Sequence, residues 1–337
     1  MNVIDTKYIE VEDTDGPTTS LVKIKYTEIT GEKDGPKLFV IAGIHGDELT
    51  GVEVIRQLIK YFSKKDITGK LTLVPVANPI AFAARQRCTI QDNKDLNRYF
   101  PGNPKGTITE KIAYEITEKI IKPNDYGIDL HTGPKGRMLL PHTRIVSDES
   151  NKIKALSKLF GTLISMTREP LENTLAISAK AVKTHTIAVE LGEGERLDNY
   201  FIKAGFFGVL NIAKYLGILD GRAYVLKDQY ILNERNNIVS KCTGLFYPRI
   251  AIGDVVHKGQ QIAEIYDPQK DMIENITAEK SGIVLALQTD AVAVMGTTII
   301  STLTLANCGL NSVSLIQKKC VIYHTKNPRD LLLNIWE

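Results

Sequence analysis

Short, continuous apolar runs alternate with stretches of helical spacing over much of the chain. A continuous apolar run is typical of a strand buried on both faces, and apolar residues that recur every three or four positions indicate a helix that covers a sheet. Residues 38–42 form the clearest run, and helical spacing follows it at Val52, Ile55, Ile59 and Phe62. By the same reasoning we predict strands at 70–79, 127–131 and 184–192, helices at 109–121 and 199–216, and an opening hairpin within residues 1–37.

Two segments between these elements are less regular. Residues 80–107 read as a long irregular loop, which inside a compact domain is usually functional. Residues 134–183 show helical spacing at Ile153, Leu156, Phe160 and Leu163. Because strands alternate with helices throughout, we predict an α/β domain and place it at residues 1–220.

After about Leu219 the pattern changes to short β-like runs separated by turns. We therefore predict a smaller, all-β domain over residues 221–337. Its segments 244–248, 252–265 and 278–284 resemble the two halves of a biotinyl/lipoyl-type β-barrel. The Met-Lys-Met tip of such carriers is absent, because residues 266–270 read Tyr-Asp-Pro-Gln-Lys. The resemblance therefore implies a barrel-like structural domain and not a swinging-arm carrier.

The composition is that of an ordinary globular protein, with 43% hydrophobic and 24% charged residues. The net charge of +3 is too small to suggest nucleic-acid binding. No apolar run approaches the roughly 18 residues of a membrane helix, and the polar N-terminus does not read as a signal peptide. CxxC spacing is missing, which argues against a disulfide framework or a cysteine zinc cluster at Cys88, Cys242, Cys308 and Cys320. We therefore expect a cytoplasmic protein.

His45 and Glu48 lie where the first buried strand leads into a helix, which is where ligands commonly bind at the edge of an α/β sheet. An imidazole and a carboxylate three residues apart across such a turn can reach one cation. Zinc accepts nitrogen and oxygen ligands at about 2.0–2.2 Å, and a catalytic zinc has three protein ligands plus water. Alternatively, His45 caps the turn and Glu48 stabilises the start of the helix. The pair alone leaves both interpretations open.

His131 is the candidate for the third ligand. Like His45, it comes at the end of a short apolar run and shortly before a glycine, here Gly133. Asp129 is close enough in the sequence to orient the imidazole. With this residue the ligand set of a catalytic zinc is complete, which favours the metal-binding interpretation of His45 and Glu48.

Four motifs occur in the order seen in succinylglutamate desuccinylases and aspartoacylases. They are His-Gly-Asp-Glu at 45–48, Asp-Leu-Asn-Arg-Tyr-Phe-Pro-Gly at 95–102, Asp-Leu-His-Thr-Gly at 129–133 and Ala-Val-Glu-Leu-Gly at 188–192. The chain resembles this family of zinc carboxypeptidase relatives, which cleave N-acyl amino acids. The resemblance implies a zinc carboxypeptidase-like mixed sheet flanked by helices, and one Zn²⁺ per chain.

The resemblance also implies roles for individual residues. Glu190 matches the general base that takes a proton from the attacking water. Burial of a carboxylate at the end of an apolar strand costs free energy unless the group has a partner or a function. We therefore prefer this role to a structural salt bridge. Asn97 and Arg98 match the pair that holds the α-carboxylate of the substrate, and a planar guanidinium suits bidentate capture of that group. For Arg85 we expect an ordinary surface charge.

In this family a further arginine, upstream of that pair, polarises the scissile carbonyl. In aspartoacylases it directly follows a Cys-Thr pair, whereas here Ile90 follows Cys88 and Thr89. In the bacterial N-acyl-diamino-acid deacylases the arginine comes earlier, and Arg87 matches that position. The resemblance is therefore closest to the bacterial deacylase branch, with Arg87 as the residue that stabilises the oxyanion.

The predicted function is zinc-dependent hydrolysis of the amide bond of a small N-acyl amino acid, of the N-acetyl or N-succinyl type. We expect this small molecule as the binding partner, and we expect no binding to nucleic acid or to a membrane. The sequence is compatible with a homo-oligomer. One alternative is a zinc carboxypeptidase that acts on short peptides. The other is a non-catalytic carrier or binding module built on the C-terminal domain, against which the missing Met-Lys-Met tip argues.

Overall fold

The computed structural model describes residues 2–13, 20–146, 150–226 and 229–304. Within it the chain forms two compact units. The first contains the chain as far as Lys135 together with Pro141–Gln229, and the second contains Gly136–Leu140 and the described residues from Tyr230 onward. The assignment of domains to residues 1–220 and 221–337 stays a prediction.

A mixed sheet forms the centre of the first unit. The first eight strands of the chain are β1 (Val3–Asp13), β2 (Ser20–Thr30), β3 (Lys33–Ala42), β4 (Thr68–Val74), β5 (Tyr126–Gly133), β6 (Arg137–Val146), β7 (Ile164–Arg168) and β8 (His185–Glu193). Their spatial order begins β1-β2-β4-β3-β5-β8-β6. β1 and β2 form the predicted antiparallel hairpin, and β2 is also antiparallel to β4. β3 is parallel to β4 and β5, and β5 is parallel to β8.

The helices are α1 (Thr50–Phe62), α2 (Pro79–Ala84), α3 (Ile108–Ile116), α4 (Asn151–Phe160), α5 (Leu175–Ala181) and α6 (Asn199–Tyr215). The helix predicted at 109–121 is α3 followed by a π-helical turn at Thr117–Ile121. Apolar residues of α3 share a core with β3, among them Phe39, Ile41, Ile112 and Ile116. The prediction of an α/β unit with helices flanking a mixed sheet is confirmed.

Two local predictions were wrong. α2 lies in the segment predicted to be irregular, because the side chain of Asn78 accepts a hydrogen bond from the Ala81 N–H and Pro79 favours a first helical turn. β6 and β7 lie in the segment predicted to be helical, which also contains the helices α4 and α5, and α4 is the helix that the predicted spacing marks. His142, in the same segment, is buried in β6. Its polar neighbours hide the apolar pattern of that strand.

The second unit consists of β-strands, as predicted. They are β9 (Tyr230–Leu232), β10 (Arg235–Val239), β11 (Gly244–Pro248), β12 (Val255–Val256), β13 (Gln261–Asp267), β14 (Met272–Thr277), β15 (Gly282–Gln288), β16 (Val292–Ala293) and β17 (Thr298–Thr304). β10, β17 and β15 are antiparallel neighbours, and β14-β13-β11-β16 form a separate sheet. Apolar side chains from these strands make their own core, including Phe246, Val256, Ile262 and Ile300.

Two further sequence predictions concern cysteines and membrane segments. Cys88 and Cys242 are free thiols, and Cys308 and Cys320 lie outside the described residues. Among the residues that the structure describes, no helix is both long enough and apolar enough to cross a membrane.

Candidate active site

The three predicted metal ligands lie together and are buried. Nδ1 of His45 is 2.7 Å from Oε1 of Glu48, and Nδ1 of His131 is 2.9 Å from Oε2 of the same carboxylate. One ligand atom from each residue lies within 4.8 Å of the others. Two imidazole nitrogens and a carboxylate that converge in this way are a donor set suited to Zn²⁺.

An aspartate contacts the opposite nitrogen of each ring. Nε2 of His45 is 3.0 Å from Oδ1 of Asp95, and Nε2 of His131 is 2.8 Å from Oδ2 of Asp129. An Nε2–H group that donates to a carboxylate leaves the Nδ1 lone pair available to a metal. The two aspartates therefore select the tautomer that metal binding at Nδ1 requires.

The charge state of the cluster points the same way. Burial by itself lowers the pKa of His45 and His131, but the nearby carboxylates outweigh burial and raise the pKa of both rings. Burial likewise favours a higher pKa for Glu48, and the two imidazoles reverse this and hold its pKa below the usual value. The surrounding carboxylates therefore favour the protonated, positively charged form of both imidazoles. A divalent cation can replace those protons as the positive partner of Glu48.

The carboxyl ends of neighbouring parallel strands bring these residues together. His45 follows the end of β3, His131 lies in β5, and β3 and β5 are paired. The turn after β3 approaches α2 so closely that a Cβ at Gly46 would lie 2.0 Å from the backbone carbonyl carbon of Ala81. Glycine is required there because any side chain would collide with that backbone.

Arg87 lies beside the cluster, where Asp95 holds it. Its Nε and Nη2 donate to Oδ2 of Asp95 at 3.1 and 2.9 Å, and its Nη1 is 3.4 Å from Oε1 of Glu48. Burial would raise the pKa of Asp95, but its hydrogen bond with His45 and the charge of Arg87 hold that pKa below the usual value. Asp95 thus links the predicted oxyanion arginine to a predicted metal ligand.

Asn97 and Arg98 are placed differently from one another. Nδ2 of Asn97 is 3.3 Å from Nε2 of His131, and its Oδ1 accepts the Leu175 N–H at 2.9 Å. This second contact fixes which end of the amide faces the cluster. Arg98 is exposed, and its Nη1 donates to the carbonyl oxygen of Asn97 at 2.7 Å. The structure brings Asn97 to the cluster but does not bring the Arg98 guanidinium into contact with it.

Glu190 is buried in β8, next to His131 across the paired strands β5 and β8. Its Oε1 is 2.9 Å from Nη1 of Arg144, which lies in β6. Its Oε2 is buried and has no hydrogen-bond partner among the described residues. The candidate base therefore has one oxygen occupied and one unoccupied. Arg85, by contrast, is largely exposed and pairs with Glu195, as expected for a surface charge.

Two residues of this site were not predicted from the sequence. Asp95 could have been suspected, because it lies two residues before Asn97 in the same motif. The only signal at Arg144 was a cation inside a largely apolar segment. A buried or half-buried charge usually has a partner, but the sequence does not say which one.

Solved structures share this fold. The product-bound ectoine utilization protein EutE (DoeB) from Ruegeria pomeroyi is 24% identical, with a TM-score of 0.79 over 89% of this chain and 95% of that chain. A succinylglutamate desuccinylase/aspartoacylase from Rhodobacter sphaeroides is 21% identical, with the same TM-score and the same coverage of both chains. At these identities the likeness shows the fold alone.

Comparison of sequences gives evidence beyond the fold. The N-alpha-acetyl-L-2,4-diaminobutyric acid deacetylase of Halomonas elongata is 29% identical over 278 residues, which cover 79% of this chain and 81% of the relative. The model of the succinylglutamate desuccinylase/aspartoacylase catalytic domain matches residues 34–216, more than half of the chain. Those residues contain all four motifs and the buried cluster of His45, Glu48 and His131. This chain therefore belongs to the succinylglutamate desuccinylase/aspartoacylase family.

Proposed function

We propose that this chain is a zinc-dependent amidohydrolase that cleaves a small N-acyl amino acid into a carboxylate and a free amino acid. One observation carries the proposal: Nδ1 of His45 and of His131 converge on the Glu48 carboxylate in a buried cluster. Family membership and the Halomonas deacetylase support the same class of reaction.

The cluster fits a zinc ion in donor type and in number. His45, Glu48 and His131 would hold the ion, and the aspartates on the opposite ring nitrogens would fix the ligating tautomers. When bound, zinc supplies Lewis acidity that polarises the amide carbonyl and makes the attacking water more acidic.

The protein's own groups manage the proton and the developing charge. Glu190 accepts a proton from water as the water oxygen adds to the amide carbon, and it then donates that proton to the leaving nitrogen as the C–N bond breaks. Arg87 donates an N–H to the carbonyl oxygen as negative charge develops there. A donor of this kind is worth about 2.7–4 kcal/mol in the transition state.

Asn97 and Arg98 would bind the α-carboxylate on the amino-acid half of the substrate. Because Oδ1 of Asn97 accepts the Leu175 N–H, its Nδ2 is the group that remains to donate. The exposed Arg98 guanidinium supplies a planar pair of donors next to it. Together the amide of Asn97 and the guanidinium of Arg98 provide the hydrogen-bond donors and the positive charge that bind a carboxylate.

A substrate screen with zinc-loaded protein tests the proposal. The Halomonas relative is named for N-alpha-acetyl-L-2,4-diaminobutyric acid, so N-acetylated diamino acids come first, followed by other N-acetyl and N-succinyl amino acids. We expect these compounds to be hydrolysed and peptides of three or more residues to be poor substrates. Faster turnover of such peptides would instead support a zinc carboxypeptidase, and no amide hydrolysis at all would refute the proposal.

The carboxylate-binding role of Arg98 gives a specific prediction. Arg98→Lys keeps the charge but loses the planar fork. We therefore expect a higher KM and a fall in kcat/KM equivalent to roughly 1.5–3 kcal/mol, the contribution of a charged hydrogen bond. Converting the substrate carboxylate to an amide should cost the wild type a similar amount. The same conversion should cost Arg98→Lys much less, because both changes remove one interaction. Additive losses would mean that the carboxylate is bound elsewhere.

The contact between Asp95 and His45 gives a prediction about metal affinity. Asp95→Asn keeps the size of the side chain but removes the negative charge that holds the Nε2–H of His45. We expect zinc affinity to fall about 10–100-fold, the usual effect of losing such a partner. Competition with a chromophoric chelator measures this affinity, with the exposed strand residue Asp5→Asn as the matched control. Unchanged affinity in Asp95→Asn would show that Asp95 does not orient the ligand.

A further inference from the structure

A basic residue continues the row of functional side chains across the sheet. His131 of β5 and Glu190 of β8 are paired residues on neighbouring parallel strands, so their side chains leave the sheet on the same face. β6 follows β8 in the order of strands, and its Arg144 places Nη1 2.9 Å from Oε1 of Glu190. A candidate ligand, a candidate base and a cation therefore lie on three successive strands.

The guanidinium of Arg144 is held from two sides. Besides its bond to Glu190, its Nε is 3.4 Å from Nε2 of His142, a fully buried imidazole two residues earlier on the strand. The side chain of Arg144 is 22% exposed and that of Glu190 is 5% exposed. Separating the two charges would leave the carboxylate buried without a counter-charge, which is strongly unfavourable. The pair is therefore a fixed part of the site.

The ion pair makes the two oxygens of Glu190 different. Oε1 is occupied by Arg144, whereas Oε2 has no hydrogen-bond partner among the described residues. A general base must present an acceptor within hydrogen-bond reach of the proton that it removes. Oε2 is the oxygen that remains for this task. Because Arg144 holds Oε1, it fixes the orientation of the carboxylate and therefore the position of Oε2.

We propose that Arg144 is a positioning residue, which fixes the Glu190 carboxylate so that Oε2 accepts the proton from water. The inference rests on the proposed role of Glu190 as general base. In this role Arg144 acts through Oε1 of Glu190 and not on the substrate itself. Displacing a reacting group by 1 Å can cost about 10²-fold in rate, so loss of this anchor should affect the chemical step.

Kinetics of Arg144→Gln provide the first test. We expect kcat to fall by up to about 10²-fold while KM stays close to that of the wild type, because the substrate contacts are intact. Arg144→Lys keeps a cation near Oε1 and should recover part of the lost kcat. A raised KM with unchanged kcat would overturn the proposal, since Arg144 would then bind the substrate. Equal activity of Arg144→Gln and the wild type would overturn it as well.

A double-mutant cycle separates positioning from general stabilisation. In the Glu190→Gln background, Arg144→Gln should change kcat by no more than about twofold, because the base that Arg144 orients is already absent. Multiplicative losses would show that Arg144 acts independently of Glu190 and would refute the proposal. Arg56→Gln is the matched control, since it removes an arginine from an ion pair with Glu53 on the exposed face of α1 and should leave kcat unchanged.

A crystal structure of Arg144→Gln gives a result that does not depend on activity. We expect the Glu190 carboxylate to leave its wild-type position or to occupy more than one conformation, while His45, Glu48 and His131 stay in place. A Glu190 side chain that remains single and unmoved would overturn the proposal. If the wild type hydrolyses no N-acyl amino acid, the proposed function fails, and this structure still decides whether Arg144 positions Glu190.

Discussion

Replacement of His131 by alanine should remove zinc from the protein and abolish hydrolysis while leaving the fold in place. The variant loses one of the three ligands and leaves only His45 and Glu48, which is too few for a catalytic zinc site. The pairing of β5 with β3 and β8 is made by backbone groups, so the sheet should survive the change. Metal analysis after dialysis measures the zinc content, and circular dichroism checks the fold.

His185→Ala is the matched control for that experiment. His185 lies at the beginning of β8, at the end of the sheet opposite the cluster, and its ring contacts Tyr126. This control should retain about one zinc per chain and wild-type activity. A full zinc complement in His131→Ala would contradict the ligand assignment.

Replacement of Glu190 by glutamine should lower turnover by about 10²–10⁴-fold, the range expected for the loss of a general base. The amide has nearly the same shape as the carboxylate but cannot accept the proton from water. Zinc content should stay near one per chain, because Glu190 is not among the three converging ligands. The measurement is kcat for the best substrate of the screen, together with metal analysis of the same sample.

Glu195→Gln serves as the control for the second prediction. Glu195 also carries a carboxylate in an ion pair, with Arg85 and Lys135, and its loss should leave kcat unchanged. Near-normal turnover in Glu190→Gln would mean that another group removes the proton. Loss of zinc in Glu190→Gln would mean that Glu190 supports the metal site as well.

Some strands of the first unit were predicted from the sequence and others were missed, and the difference follows from the type of signal in the sequence. Strands β3, β5 and β8 are continuous apolar runs, and their positions agree with the predictions from periodicity. β6 reads Arg-Met-Leu-Leu-Pro-His-Thr-Arg-Ile-Val, in which polar residues interrupt the run. Of those polar residues, His142 and Thr143 are nonetheless buried, with polar partners in Arg144 and in Ser157 of α4. A strand of that kind has no period-2 signal to detect.

The sequence alone determined the local part of the site. His45 and Glu48 are three residues apart on one turn, and His131 follows a buried strand, so local spacing is enough to name the candidate ligands. The tertiary structure decided which other residues contact and orient the residues of the site. Asp95 lies between His45 and Arg87, Leu175 fixes the Asn97 amide, and Arg144 occupies one oxygen of Glu190. These contacts join residues far apart in the chain, and they depend on strand order and register, which hydrophobic periodicity does not specify.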